Sequence, residues 1–198
     1  MNRARSLLGL LVLGLTAASM SCAQAQPSKT GAGEKAQEPP TKLEAFLAKK
    51  GKIIVKDFYP AGELQKMGHM KLDGLVVYEP GQEAQRVRGL RVEVTEAGRL
   101  ERENGSFLDL DEVESLSKAI SYMESLSQKW ANGSGAPYSE VIFQSKGDFQ
   151  LGFYQQGSKT GAFAKSGTIG STTMFFDLGD LPRIKQMVDA ADATLQQK

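Results

Sequence analysis

Apolar residues along this chain change their spacing repeatedly, and each change marks a change of element. Leu43, Phe46 and Leu47 form one stripe behind Thr41 and Glu44, a pair with capping-box spacing, so the pattern predicts a short opening helix that Gly51 ends in a left-handed conformation. The period then becomes two. Ile53 and Val55 oppose Ile54 in a strand that ends near Pro60, and Leu72, Val76 and Tyr78 oppose Leu75 and Val77 in the next. Both runs are apolar on two faces, the pattern of central strands. Leu90, Val92 and Val94 alternate with Arg91, Glu93 and Thr95, a strand with one wet face. Glu96-Ala97-Gly98 turns the chain into a fourth strand, through Leu100 to Phe107, and Asn104-Gly105 predicts a bulge within it.

From Asp111 to Trp130 the spacing is helical, with Val113, Leu116, Ile120, Met123 and Leu126 on one face. Asp109 with Glu112, or Asp111 with Glu114, forms its capping box, and Asn132-Gly133-Ser134-Gly135 ends it. The same order then recurs. Val141 and Phe143 mark one strand and Phe149, Leu151 and Phe153 the next, across a Lys146-Gly147-Asp148 turn. Gly157-Ser158 leads into a strand around Phe163, and Ser166-Gly167 into one ending at Phe175-Phe176. A closing helix places Leu181, Ile184, Val188 and Ala191 together and tolerates Pro182 in its first turn.

An internal duplication accounts for that recurrence. A shift of 68 positions carries Phe107, Asp109 and Leu110 onto Phe175, Asp177 and Leu178, and without a gap carries Val113, Leu116 and Ile120 onto Leu181, Ile184 and Val188. Each half reads as four antiparallel strands and a helix, and each would expose one apolar sheet face unless packed on the other. The expected fold is therefore α+β: two β4α repeats, at about 52–131 and 138–198, within one pseudo-symmetric domain spanning 41–198. Its four-stranded sheets lie face to face with two long supporting helices, preceded by the short one.

Composition adds a destination. Arg3 and Arg5 precede an apolar run from Leu7 to Leu15 that is too short for the roughly 20 residues of a bilayer span, so residues 1–25 read as a signal peptide. Ala23-Gln24-Ala25 fits cleavage before Gln26 and free release, periplasmic or secreted. Ser19-Met20-Ser21-Cys22 resembles a lipoprotein box, which makes Cys22 the lipidation candidate and an outer-membrane lipoprotein the alternative. Residues 26–40 hold no large apolar side chain and read as a disordered linker. Without Arg3 and Arg5, 22 of the 24 basic residues remain against 23 acidic ones, so net charge does not call for nucleic acid.

Candidate chemistry is sparse. His69 is the only histidine and Cys22 the only cysteine, which excludes imidazole pairs and Ser/His/Asp triads and leaves no metal site, cofactor or catalytic residue to name. Met67 and Met70 beside His69 are a thin basis for soft-metal binding. Asp109, Asp111, Glu112 and Glu114 enter a helix rather than circle a turn, so they read as caps and dipole partners, not as a calcium loop. Asn104 and Asn132 begin Asn-Gly-Ser sequons, read here as turns.

The order of elements resembles the Whirly and PC4-like architecture of single-stranded nucleic-acid-binding proteins over about residues 50–198. Locally, Lys50-Gly51-Lys52, read as opening the first strand, matches a Lys-Gly-Lys motif with which the Whirly family touches nucleic acid, while Ile53-Ile54-Val55 replaces the alanines and leucine of that motif. The resemblance implies single-strand or polyanion binding. The residues suited to it are Lys49, Lys50, Lys52 and Lys56, with Phe58 and Tyr59 for stacking. Export and the absence of catalytic sets favour a different function: a non-enzymatic binding or structural domain that contacts a protein or envelope component through a sheet face or the cleft between the repeats.

Overall fold

Two four-stranded antiparallel sheets, each followed by a helix, form the framework of the structure, a computed structural model that describes residues 40–98, 101–133, 135–167 and 169–198. The expected signal peptide, Cys22, the expected linker up to residue 39 and Leu100 lie outside the described residues. Helix α1 (Lys42–Leu47) precedes sheet 1, which is built in chain order from β1 (Val55–Lys66), β2 (Gly68–Tyr78), β3 (Val87–Glu96) and β4 (Arg102–Asp109). After α2 (Leu110–Lys129) come β5 (Tyr138–Gln144), β6 (Phe149–Gln156), β7 (Lys159–Ser166) and β8 (Thr172–Phe176) of sheet 2, then α3 (Leu181–Gln196). This is the β4α–β4α order predicted from the duplication.

Alternation assigns each strand residue to one of two faces. The inner faces supply the core: Leu72, Leu90, Val92 and Leu108 from sheet 1, and Phe149, Leu151, Phe153, Ala162, Ala164 and Met174 from sheet 2. Buried polar groups register the sheets. Ser106 and Ser166 hydroxyls meet at 2.7 Å, and Thr172 Oγ1 donates to the Val94 carbonyl at 2.8 Å. At this corner Met67, the residue joining β1 to β2, forms a bridge with Phe175 of β8.

Helix α3 belongs to the second half yet lies on β1 and β2 of the first. Glycines permit the approach: a Cβ at Gly62 would stand 2.6 Å from Met187 Sδ, and one at Gly74 would be 3.4 Å from Leu195. Arg183 donates to the Glu63 carbonyl at 2.9 Å, and Arg88 to the Leu195 carbonyl at 2.9 Å, where its charge also complements the negative end of the helix. The positions related by the shift of 68, Val113, Leu116 and Ile120 in α2 and Leu181, Ile184 and Val188 in α3, are all buried. Trp130, just past α2, meets Phe153 of β6 edge-on at 5.6 Å, so each half's helix reaches the other half's sheet.

Five local expectations need correction. β1 begins at Val55, which places Lys50-Gly51-Lys52 in the preceding loop instead of at the start of a strand. It runs through Pro60 to Lys66 and is an edge strand, not a central one; there the missing N–H of Pro60 costs no ladder bond, and the register shifts between Pro60 and Gly62. No shift occurs at Asn104-Gly105, where β3 and β4 pair continuously. Helix α1 ends at Leu47 with Ala48 still right-handed, and Gly51, at φ 70°, turns the following loop instead.

Candidate functional site

The repeated Phe-x-Asp-Leu phrase, Phe107–Leu110 and Phe175–Leu178, joins a strand to the segment that leads into a helix in each half, and its two copies hold structure together in unequal ways. Asp109 is 3% exposed, and its carboxylate accepts the Lys42 and Leu43 N–H groups at 3.0 and 3.3 Å, the first donors of α1. Its own N–H donates to Glu112 Oε2 at 3.1 Å, the Asp109–Glu112 form of the capping pair. Glu112 Oε1 accepts the Lys146 N–H at 2.7 Å, pinning the β5–β6 turn. Both carboxylates are thus engaged with backbone. Asp177 is exposed, its N–H donates to Asp180 at 3.2 Å, and a 3-10 turn, Leu178–Asp180, delays the start of α3.

The residues predicted to bind are distributed over several surfaces. Lys49 and Lys52 converge on Glu79 at 3.1 and 3.0 Å, and their hydrogen bonds, that from Lys52 foremost, hold the Glu79 carboxyl below its ordinary pKa. Lys49 also lies over the Phe46 ring at 4.0 Å. Lys50 stays in the loop before β1. Lys56 and Phe58 share the outer face of β1, and the Arg91 guanidinium stands 5.9 Å from the Phe58 ring. Tyr59 points to the opposite face, where Lys198 approaches its ring at 4.9 Å. His69 accompanies Glu63 at 3.2 Å, while Met70 is buried in the core, so the His-Met grouping does not assemble. Among the described residues no three His, Cys, Asp or Glu side chains cluster as a metal site.

The outer faces of the two sheets differ. On sheet 1, α1 seats Leu43 and Phe46 over Leu75 and Val77, and beside Phe58 runs an ionic ladder: Lys71 reaches Asp73 at 3.1 Å, Arg91 reaches it at 3.7 Å, and Arg91 also pairs with Glu93. On sheet 2 the outer face carries Tyr138, Ile142 and Phe175, respectively 51, 45 and 49% exposed, beside Tyr154 and Phe163.

Two mid-strand glycines lay these rings down. Phe163 pairs across strands with Gly152, where a Cβ would come within 2.9 Å of the ring; Tyr154 pairs with Gly161, where a Cβ would be 2.6 Å from its Oη. Each ring therefore lies over a glycine on the neighbouring strand instead of standing upright. Tyr138 stacks on Tyr154 with centroids 6.3 Å apart at 23°, and Phe163 pairs directly with Phe175. Glu140, Gln150, Lys165 and Thr173 complete the lining of a shallow depression of about 440 Å³. A second hollow of about 380 Å³ adjoins it around Phe175, Gly161 and Met67. Tyr138 Oη donates to Glu140 at 2.6 Å, a bond that raises the phenol pKa.

The chain matches no family model, no curated protein and no solved structure. Geometry and chemistry alone must therefore assign the site. In the sequence Phe163 and Phe175 mark strands, and the face they form does not show. The signal was present: Gly152 and Gly161 interrupt strand patterns at positions whose partners are aromatic, but the register that pairs them is not visible before the strands are aligned.

Proposed function

We propose that this protein is an exported, non-enzymatic binding domain that engages a protein or another envelope component on the outer face of sheet 2. The observation that carries the reading is the pair of glycine seats under Tyr154 and Phe163. Tyr154, laid flat and partly exposed, with the exposed Phe175 beside it over the buried Phe163, supplies stacking area next to polar side chains that costs little conformational entropy to immobilise, which is the composition of recognition surfaces. The signal-like start of the chain supports export, with free release or a lipid at Cys22 as its two forms.

Single-strand or polyanion binding of the Whirly type is the alternative. The β4α order and the stacking rings support it, but the lysines it needs are not gathered with those rings: Lys165 is the cation lining the depression, accompanied by Glu140. Such binding draws most of its affinity from phosphate neutralisation and falls steeply with salt.

Immobilised wild type and a Tyr154→Ala/Phe175→Ala variant, each incubated with envelope extract at physiological salt, test the reading. The expected result is a component retained by the wild type and by an α2 surface control, Tyr122→Ala, and lost at least about tenfold by the double variant, the effect of removing a central aromatic anchor. Equal retention by a correctly folded double variant, checked by circular dichroism, overturns it.

A further inference from the structure

We propose that the ligand of the aromatic face is a neutral polysaccharide, whose pyranose rings stack on Tyr154 and Phe175 while their hydroxyls meet Glu140, Gln150 and Lys165. This inference rests on the binding-face reading and narrows its ligand. A pyranose with equatorial substituents has two unlike aspects: a face of C–H groups carrying slight positive charge, and a rim of hydroxyls that both donate and accept. The electron-rich face of an aromatic ring attracts the first, provided that the ring lies flat enough to be approached from above. The Gly161 seat gives Tyr154 that posture, while Phe163, 8% exposed over Gly152, forms the floor of the face. Phe175, beside Phe163 on the edge strand, extends the platform to the border of the sheet.

The polar side chains suit the second aspect. Gln150 both donates and accepts, Glu140 accepts, Lys165 donates, and Gln150 and Lys165 stand opposite each other across β6 and β7. Glu140 pairs with Tyr154 across β5 and β6, so each charged group stands next to the platform. One carboxylate and one ammonium leave the lining electrically balanced. A polyanion would meet Glu140 unfavourably, and a strongly basic segment would meet Lys165 in the same way. A neutral glycan avoids both penalties. The depression is also shallow and broad, spanning four strands or about 15 Å, a form that fits an extended chain of rings better than a compact ligand, which is usually enclosed on most sides.

Calorimetric titration of the full mature chain with three neutral probes tests the inference: hexasaccharides of β-1,4-linked glucose, of β-1,4-linked N-acetylglucosamine and of β-1,3-linked glucose. At least one is expected to bind with little change in Kd between about 50 and 500 mM salt, because no counterions are released. Tyr154→Ala is expected to weaken that binding at least about tenfold. The bound hexasaccharide is also expected to displace the component retained from envelope extract. If none of the three binds or competes while the double variant still loses that component, the glycan inference falls and the binding-face reading stands. If no hexasaccharide binds and the double variant retains the component as the wild type does, both fall. Binding of a single-stranded oligonucleotide, lost at high salt and displacing the retained component, also overturns the glycan inference.

Discussion

Asp109→Ala is expected to destabilise the domain by about 2–4 kcal/mol, while Asp177→Ala costs about 1 kcal/mol or less. The two aspartates occupy equivalent places in the repeated phrase, so the difference comes from surroundings alone. The Asp109 carboxylate accepts the Lys42 and Leu43 N–H groups at a buried position, and alanine would leave those donors without their acceptor. Stranding a buried donor costs more than the mean value of the bond that is lost. Asp177 is exposed, and water replaces what its side chain provides. Thermal melts followed by far-ultraviolet dichroism measure both variants. A fall in melting temperature on the order of 10 °C is expected for Asp109→Ala and a few degrees for Asp177→Ala. Equal shifts would show that the junctions are energetically equivalent and that Asp109 does not anchor α1.

The largest single loss is expected at Phe153→Ala, about 3–5 kcal/mol. Phe153 is 1% exposed, lies on the inner face of sheet 2, and meets Trp130 beyond the end of α2 from the first half. Its removal opens a cavity where the two repeats share a core, and β-sheet neighbours held by their own ladders can close it only in part. Trp130 is the only tryptophan in the chain, so its fluorescence reports this contact directly. Urea unfolding of the wild type is expected to give coincident fluorescence and dichroism transitions, as one cooperative unit requires, and the variant a lower midpoint with a similar slope. Separate transitions for the two probes would contradict a core shared by both halves.

These effects also indicate which parts of the molecule could be read from its residues. The shift of 68 positions aligns apolar side chains that the structure buries in both helices, and helical spacing depends on the neighbours along the chain, which a sequence displays. The Asp109–Glu112 cap was legible for the same reason. The edge position of β1 was not, because Ile53, Ile54 and Val55 present apolar residues in succession; Ile53 lies outside the strand and is exposed. Pro60 was the better guide, since a proline within a strand pattern marks an edge or a bulge, and here it marks both. The candidate site was hidden by a different cause. Tyr154 and Gly161, like Gly152 and Phe163, face each other across a hairpin, and their meaning depends on register. Read separately, the glycines are interruptions and the rings ordinary strand residues. Paired, they form a platform. In the plain local cluster of lysines that the sequence displays, Lys49 and Lys52 are drawn onto Glu79, and alternation sends the rings meant to stack beside them, Phe58 and Tyr59, to opposite faces.

Backbone amide shifts followed by nuclear magnetic resonance, as the envelope component retained by the wild type is added to labelled protein, test the central claim most directly. The account predicts perturbations concentrated at Gly152, Tyr154, Gly161, Phe163 and Phe175, with Lys49, Lys52 and Phe58 unmoved. Perturbations confined to the loop before β1 and the β1 outer face, with the glycine-seated rings unchanged, would contradict it.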